Sequence, residues 1–182
     1  MMADNKHIVL GVTGSIAAYK AAELARLMIK KNWEVSVVMT RAATRFVGEL
    51  TFRTLTRRSV ALDMFQETEA WRPTHIALAE WADALVIAPC TANVMAKLAH
   101  GLADDALSAT ALACQAPLVV APAMNKKMWD HPATRENLRL LKSRGVVIVD
   151  VEQGELACGY EGRGRLAAPE TIMKAVAKSV KA

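Results

Sequence analysis

Apolar positions along the chain fall into short dense blocks, and two spacings alternate. His7–Val12, Ala84–Ala88 and Pro117–Ala121 are nearly continuous apolar runs, Trp33–Met39 and Val146–Val151 are apolar apart from Glu34, Ser36 and Asp150, and each of the five predicts a strand. Ser15–Lys31 instead sets Ala17, Ala21, Leu24 and Met28 on one face of a helix. Helical spacing continues to Leu55, through Ala92–Cys114 with a break at Gly101, and through Pro132–Arg144. That last segment has proline near its first turn and Gly145 just past its end. Pro169 opens a terminal helix. The strands lack polar alternation, so both faces of their sheet should be covered. The pattern predicts an α/β fold, a Rossmann-like (flavodoxin-like) parallel sheet with helices on both faces, forming one domain over residues 1–182. No repeat and no Ser/Pro-rich linker divides it. Gln153–Ala168 carries four glycines and little apolar pattern, and reads as a loop or flap.

Composition narrows the class. Hydrophobic residues make up 53% of the 182 residues, enough for a substantial core. No uninterrupted apolar run reaches the ~18 residues of a membrane helix. The polar first residues lack a signal-peptide core, so a cytoplasmic location is expected. The net charge of +5 is spread along the chain, and aromatics are only 5%, which argues against a nucleic-acid surface. Cys90, Cys114 and Cys158 are too few for a disulfide framework and form no C-x-x-C pair. No metal site is expected.

The chemistry gathers where strands end. Gly11-Val12-Thr13-Gly14-Ser15-Ile16-Ala17 joins the first strand to the first helix, a place suited to a phosphate. A nicotinamide dinucleotide would want G-x-G-x-x-G and an acidic residue after the second strand. Here the glycines are differently spaced and the second strand ends Met39-Thr40-Arg41. A mononucleotide such as FMN fits better, with Thr40 either a phosphate contact or the cap of the next helix. Asn93 and Asn125 follow two further strands and offer amides to a ring edge or a carboxylate, although each alone is equally read as an ordinary helix cap. An imidazole suits proton transfer near neutral pH, which makes His75 a candidate, although a cap or surface role fits it as well. Cys158 sits in the glycine-rich flap, an unusual setting for a residue type that favours burial, and could deliver a proton or act as a thiolate.

Together and in order, Gly11–Lys20, His75, Ala88-Pro89-Cys90-Thr91-Ala92-Asn93, Pro122-Ala123-Met124-Asn125-Lys126-Lys127-Met128-Trp129 and Leu156-Ala157-Cys158-Gly159 resemble the homo-oligomeric flavin-containing cysteine decarboxylases. The resemblance implies an FMN phosphate held by Gly14, Ser15, Ile16 and Thr40. It implies a flavin ring lined by Thr91, Ala92, Asn93 and Ala123. Substrate would be bound by Asn125, at its carboxylate, and by Leu156 and Ala157 of the flap at about 153–168. His75 would be the base, acting from a neighbouring subunit of a trimer or of a tetramer of trimers (a dodecamer). The implied reaction is redox-neutral: thiol oxidation by the flavin, loss of CO2, then reduction of the enethiolate with Cys158 as proton donor. The Ala-Cys-Gly flap favours phosphopantothenoylcysteine of coenzyme A biosynthesis as substrate over a peptide ending in cysteine. A flavin prenyltransferase would not need Cys158 and Asn125, and a flavin-binding phosphatase regulator typically adds an acidic tail. Cys90 stands where the family commonly has a small residue such as alanine. Lys126, Arg163 and Arg165 are candidates for the substrate phosphate. The family also has a form fused to phosphopantothenoylcysteine synthetase, so a separate synthetase is an expected partner if this chain stands alone.

Overall fold

The apolar runs pair side by side in a six-stranded parallel sheet. Its strands are β1 (His7–Val12), β2 (Glu34–Met39), β3 (Val60–Ala61), β4 (Ala84–Cys90), β5 (Leu118–Pro122) and β6 (Val147–Ile148), in the order β3-β2-β1-β4-β5-β6. This is a computed structural model, and it describes residues 5–65, 72–155, 157, 159 and 161–180. The order reverses between β1 and β4, the switch point of a doubly wound sheet, as the strand–helix alternation predicts.

Successive side chains of each strand enter opposite layers. Ile8, Leu10 and Val12 of β1 pack with Leu24 and Met28 of α1 (Tyr19–Lys30) and with Ile172 and Val176 of α8 (Pro169–Ser179). Phe52 of α2 (Glu49–Thr56) joins that layer. Val9, Leu85 and Val120 face the other way. They meet Met95 of α4 (Ala92–His100), Leu107 of α5 (Ala106–Ala113) and Leu141 of α7 (Pro132–Ser143). Burial of one such leucine or isoleucine contributes roughly 1.5–3 kcal/mol, so the two layers supply the main drive to fold. The two remaining helices, α3 (Thr74–Trp81) and α6 (Lys126–Asp130), are short; α3 lies against α5.

Several boundaries differ from the sequence expectation. The first helix opens as a tight 3-10 turn at Ile16–Ala18, with Ser15 as its cap. The strand expected at Val146–Val151 pairs only at Val147 and Ile148. The segment expected to be a loop from Gln153 is mostly an antiparallel hairpin, β7 (Glu152–Glu155) with β8 (Glu161–Arg165). Its residues are polar or glycine, so backbone pairing holds it and no apolar pattern announces it.

Candidate functional site: a cleft at the carboxyl ends of the strands

Four loops leave the carboxyl edge of the sheet near the switch point, where open α/β sheets bind ligands. The first follows β1. Ser15 N–H donates to Thr13 O (2.8 Å), and Ser15 Oγ accepts from Ala17 N–H (3.3 Å), which turns the chain into the helix. Gly14 packs against the loop after β2: a Cβ built on it would lie 2.5 Å from Ala42 Cβ. Only glycine lets the turn after β1 come this close to the loop that carries Thr40. The Thr40 hydroxyl accepts from Ala43 N–H at 3.3 Å and so braces the start of the 3-10 turn Ala43–Arg45, but the N-cap of that turn is Ala42 and the cap role expected as one alternative does not fall to Thr40. Gly11 has a different reason. A Cβ there would strike Leu107 of α5, so Gly11 serves packing and not the approach of a ligand.

The third loop follows β4, which contains a cis Ala88–Pro89 bond near its end. Thr91 Oγ1 accepts from Val94 N–H (3.4 Å) and caps α4, whose first turn carries Ala92 and Asn93. Thr13, fully buried, ties the loops after β1 and β4 together across the switch point. Its hydroxyl donates to Pro89 O at 2.7 Å and accepts from Thr91 N–H at 3.1 Å. Sequence reasoning missed this role, because the bridge joins residues 76 and 78 positions apart. Cys90 is completely buried, burial alone pushes its thiol far up, and it behaves as a small core residue.

The fourth loop, after β5, carries Ala123, Met124 and Asn125. Asn125 Oδ1 accepts from Lys127 N–H (2.8 Å) and caps α6. With the oxygen so used, the chemistry its side chain can offer an anion is that of an N–H donor. The hairpin docks on this loop through Met124 N–H, which donates to Gly164 O at 3.0 Å. Gly164 has φ +143°, and a Cβ on it would overlap the Met124 carbonyl oxygen. The docking therefore requires glycine.

Between these parts opens a cleft of about 540 Å³, within the range of small-molecule sites. Ser15, Ile16, Ala123, Asn125 and Ala157 all line it. So do Tyr19, Lys20, Glu155 and Arg165; only Arg165 among these carries a sequence-based expectation. Gly14, Thr40, Thr91, Ala92 and Asn93 border the same carboxyl edge but are not among the lining residues. His75 is inside the first turn of α3, and it does not line this cleft. Its Nδ1 and the Thr74 hydroxyl are buried without a hydrogen-bond partner among the described residues. Leu156 and Cys158 lie outside the described residues.

The donor set fits a flavin mononucleotide phosphate. It combines a capped helical turn, a hydroxyl at Ser15, a cradle that a Cβ at Gly14 would fill, and no carboxylate after β2. Comparison with known proteins points to a flavin. The family described as Flavoprotein matches residues 1–181, and the chain belongs to this family, among its flavin-dependent cysteine decarboxylases. The coenzyme A biosynthesis bifunctional protein CoaBC of Bacillus subtilis is 46% identical over 177 residues, 97% of this chain and 44% of that protein. This chain thus spans less than half the length of the bifunctional relatives it matches. A probable phosphopantothenoylcysteine decarboxylase of Streptococcus mutans is 42% identical over 173 residues, covering 94% of this chain and 97% of that protein. Among solved structures, a mutant PPC decarboxylase complexed with pantothenoylaminoethenethiol superposes with TM-score 0.88 at 32% identity. The match covers 98% of this chain and 100% of that one.

Proposed function

We propose that this chain uses FMN to decarboxylate phosphopantothenoylcysteine to phosphopantetheine in coenzyme A biosynthesis. The observation that carries the reading is the meeting in one cleft of the Ser15 turn, the Asn125 loop and the glycine-docked hairpin. The names of the relatives support the substrate.

Bound FMN would supply a two-electron acceptor for the substrate thiol and return the same electrons, so the overall reaction is redox-neutral. The residues of the chain have separate tasks. Gly14, Ser15, Ile16 and Thr40 hold the phosphate, and Thr91, Ala92, Asn93 and Ala123 line the ring. Thr13 fixes the spacing between those two groups. Asn125 donates to the substrate carboxylate and orients it for loss as CO2. The flap, with Leu156 and Ala157, covers the substrate and excludes water. Cys158 gives a proton to the enethiolate carbon. His75 is the base, and by the resemblance to the homo-oligomeric flavin-containing cysteine decarboxylases it acts in a neighbouring subunit of a homo-oligomer built from trimers. Cytoplasmic location and a phosphopantothenoylcysteine synthetase as partner belong to the same reading.

Chromatography of the cofactor released from purified protein tests the flavin part. Stoichiometric FMN is expected; a colourless protein that takes up no FMN, or one that releases FAD, contradicts it.

A further inference from the structure

The proposed substrate carries a phosphate monoester at the end remote from its thiol, with a charge of about −1.5 to −2 near pH 7. A cleft that selects it needs cations not already neutralised. Of the three basic residues flagged in the sequence, two are committed elsewhere. Lys126 Nζ pairs with Asp130 at 2.5 Å, and Arg163 pairs with Asp150 at 3.0 Å. Neither lines the cleft. Arg165 does line it, and so does Lys20 on the first turn of α1. Neither has a carboxylate within ion-pair distance among the described residues. The cleft receives them from two different elements, one from the helix after β1 and one from the hairpin.

Arg165 is also oriented. It stands at the end of β8, and its side chain lies across the neighbouring strand over Gly154. A Cβ built at 154 would come within 3.1 Å of Arg165 Nη1 and 3.4 Å of its Cδ. Glycine at 154 leaves the space that the arginine occupies. An arginine fork suits the planar, multidentate recognition of phosphate oxygens, while a lysine supplies a point charge. Glu155 is the one carboxylate among the described lining residues. The lining therefore keeps an excess of positive charge.

We propose that Lys20 and Arg165 form the subsite for the substrate's phosphate and set the preference for a phosphorylated acyl-cysteine over its unphosphorylated analogue. This rests on the proposed function and assigns the group that reads the phosphate.

The test measures kcat/KM of the FMN-loaded chain for phosphopantothenoylcysteine and for pantothenoylcysteine. The ratio of the two is the readout. Wild type should prefer the phosphorylated acid. Lys20→Ala and Arg165→Ala should each collapse that ratio roughly 10- to 100-fold, as expected for losing a hydrogen bond to a charged group. Lys126→Ala and Arg163→Ala should keep it. Titration of phosphopantetheine against pantetheine should show the same loss of discrimination in binding alone. Equal losses on both acids, or no wild-type preference, overturn the inference while leaving the decarboxylase reading intact. So does a defect confined to FMN affinity, which would assign the cations to the cofactor. A wild-type chain that decarboxylates neither acid overturns the functional reading and this subsite with it.

Discussion

Gly164→Ala is the substitution whose outcome the geometry specifies most fully. The backbone there has φ +143°, and an added Cβ would overlap the Met124 carbonyl oxygen, a backbone atom that cannot step aside alone. Holding a side chain in such a conformation costs of order 1–3 kcal/mol. Displacing the strand also breaks the 3.0 Å bond from Met124 N–H to Gly164 O, worth about 0.5–1.5 kcal/mol. The sum is roughly 1.5–4.5 kcal/mol. A two-stranded hairpin is marginal by itself, so the cost should appear as undocking of β7–β8 from the Asn125 loop while the parallel sheet stays folded. Native-state hydrogen exchange reads this at Met124 N–H. Exchange should accelerate about tenfold to a thousandfold, at 1.4 kcal/mol per factor of ten. Gly154→Ala is the control in the same hairpin, because its Cβ meets only the movable end of Arg165. Equal protection of Met124 in the two variants would refute the reasoning.

Thr13→Val removes the bridge between the β1 and β4 loops and strands the buried Pro89 carbonyl and the half-buried Thr91 N–H, at roughly 1–3 kcal/mol for a fully buried unsatisfied group. The melting temperature should fall at about 2–4 °C per kcal/mol and FMN uptake should weaken, with Thr13→Ser restoring both; an unaltered melt would contradict the bridge. Asp105 caps α5 through Ser108 and meets Lys97 Nζ at 2.7 Å. Burial raises its carboxyl, but Lys97 and Ser108 outweigh burial and hold it below the ordinary 3.8. A lowered folded-state pKa gives stability that is full above the unfolded value and is lost as pH falls through the folded one. The deficit of Asp105→Asn in chemical denaturation should therefore be full at neutral pH and shrink below about pH 4; a deficit constant down to pH 2 would remove the ionic contribution. His75→Asn should keep bound flavin and lose CO2 release, and retained turnover would reduce His75 to a structural role. Cys158→Ser should release CO2 but accumulate the oxidised enethiol by mass spectrometry, and normal product at the normal rate would exclude the proton-donor role.

The sheet was legible where a strand is long and buried on both faces, as in β1 and β4, since apolar continuity is then the whole signal. It was not legible at β3, a two-residue strand that exists only because β2 offers its edge, and at β6 the run Val146–Val151 announced a strand but overstated its length, since only Val147 and Ile148 pair. The hairpin was hidden for another reason: its glycines and charges carry no period, and its register comes from docking at Met124. In the site, Ser15, Ile16, Ala123 and Asn125 could be picked out because each follows a strand, and Ala157 because it lies in the flap. Lys20 and Glu155 could not, because an ordinary helix and hairpin residue becomes a cleft residue only when distant segments cross. Thr13 sat inside the quoted glycine turn, yet its partners lie in another loop. Gly11 shows the converse: a residue of the motif whose reason is the packing of Leu107.

The most direct test of the central claim is mass spectrometry of the FMN-loaded chain incubated with phosphopantothenoylcysteine and, separately, with a peptide ending in cysteine. The account predicts loss of one CO2 from the phosphorylated acid, giving phosphopantetheine, with the peptide left intact. Conversion of the peptide and not of phosphopantothenoylcysteine, or of neither, would contradict it.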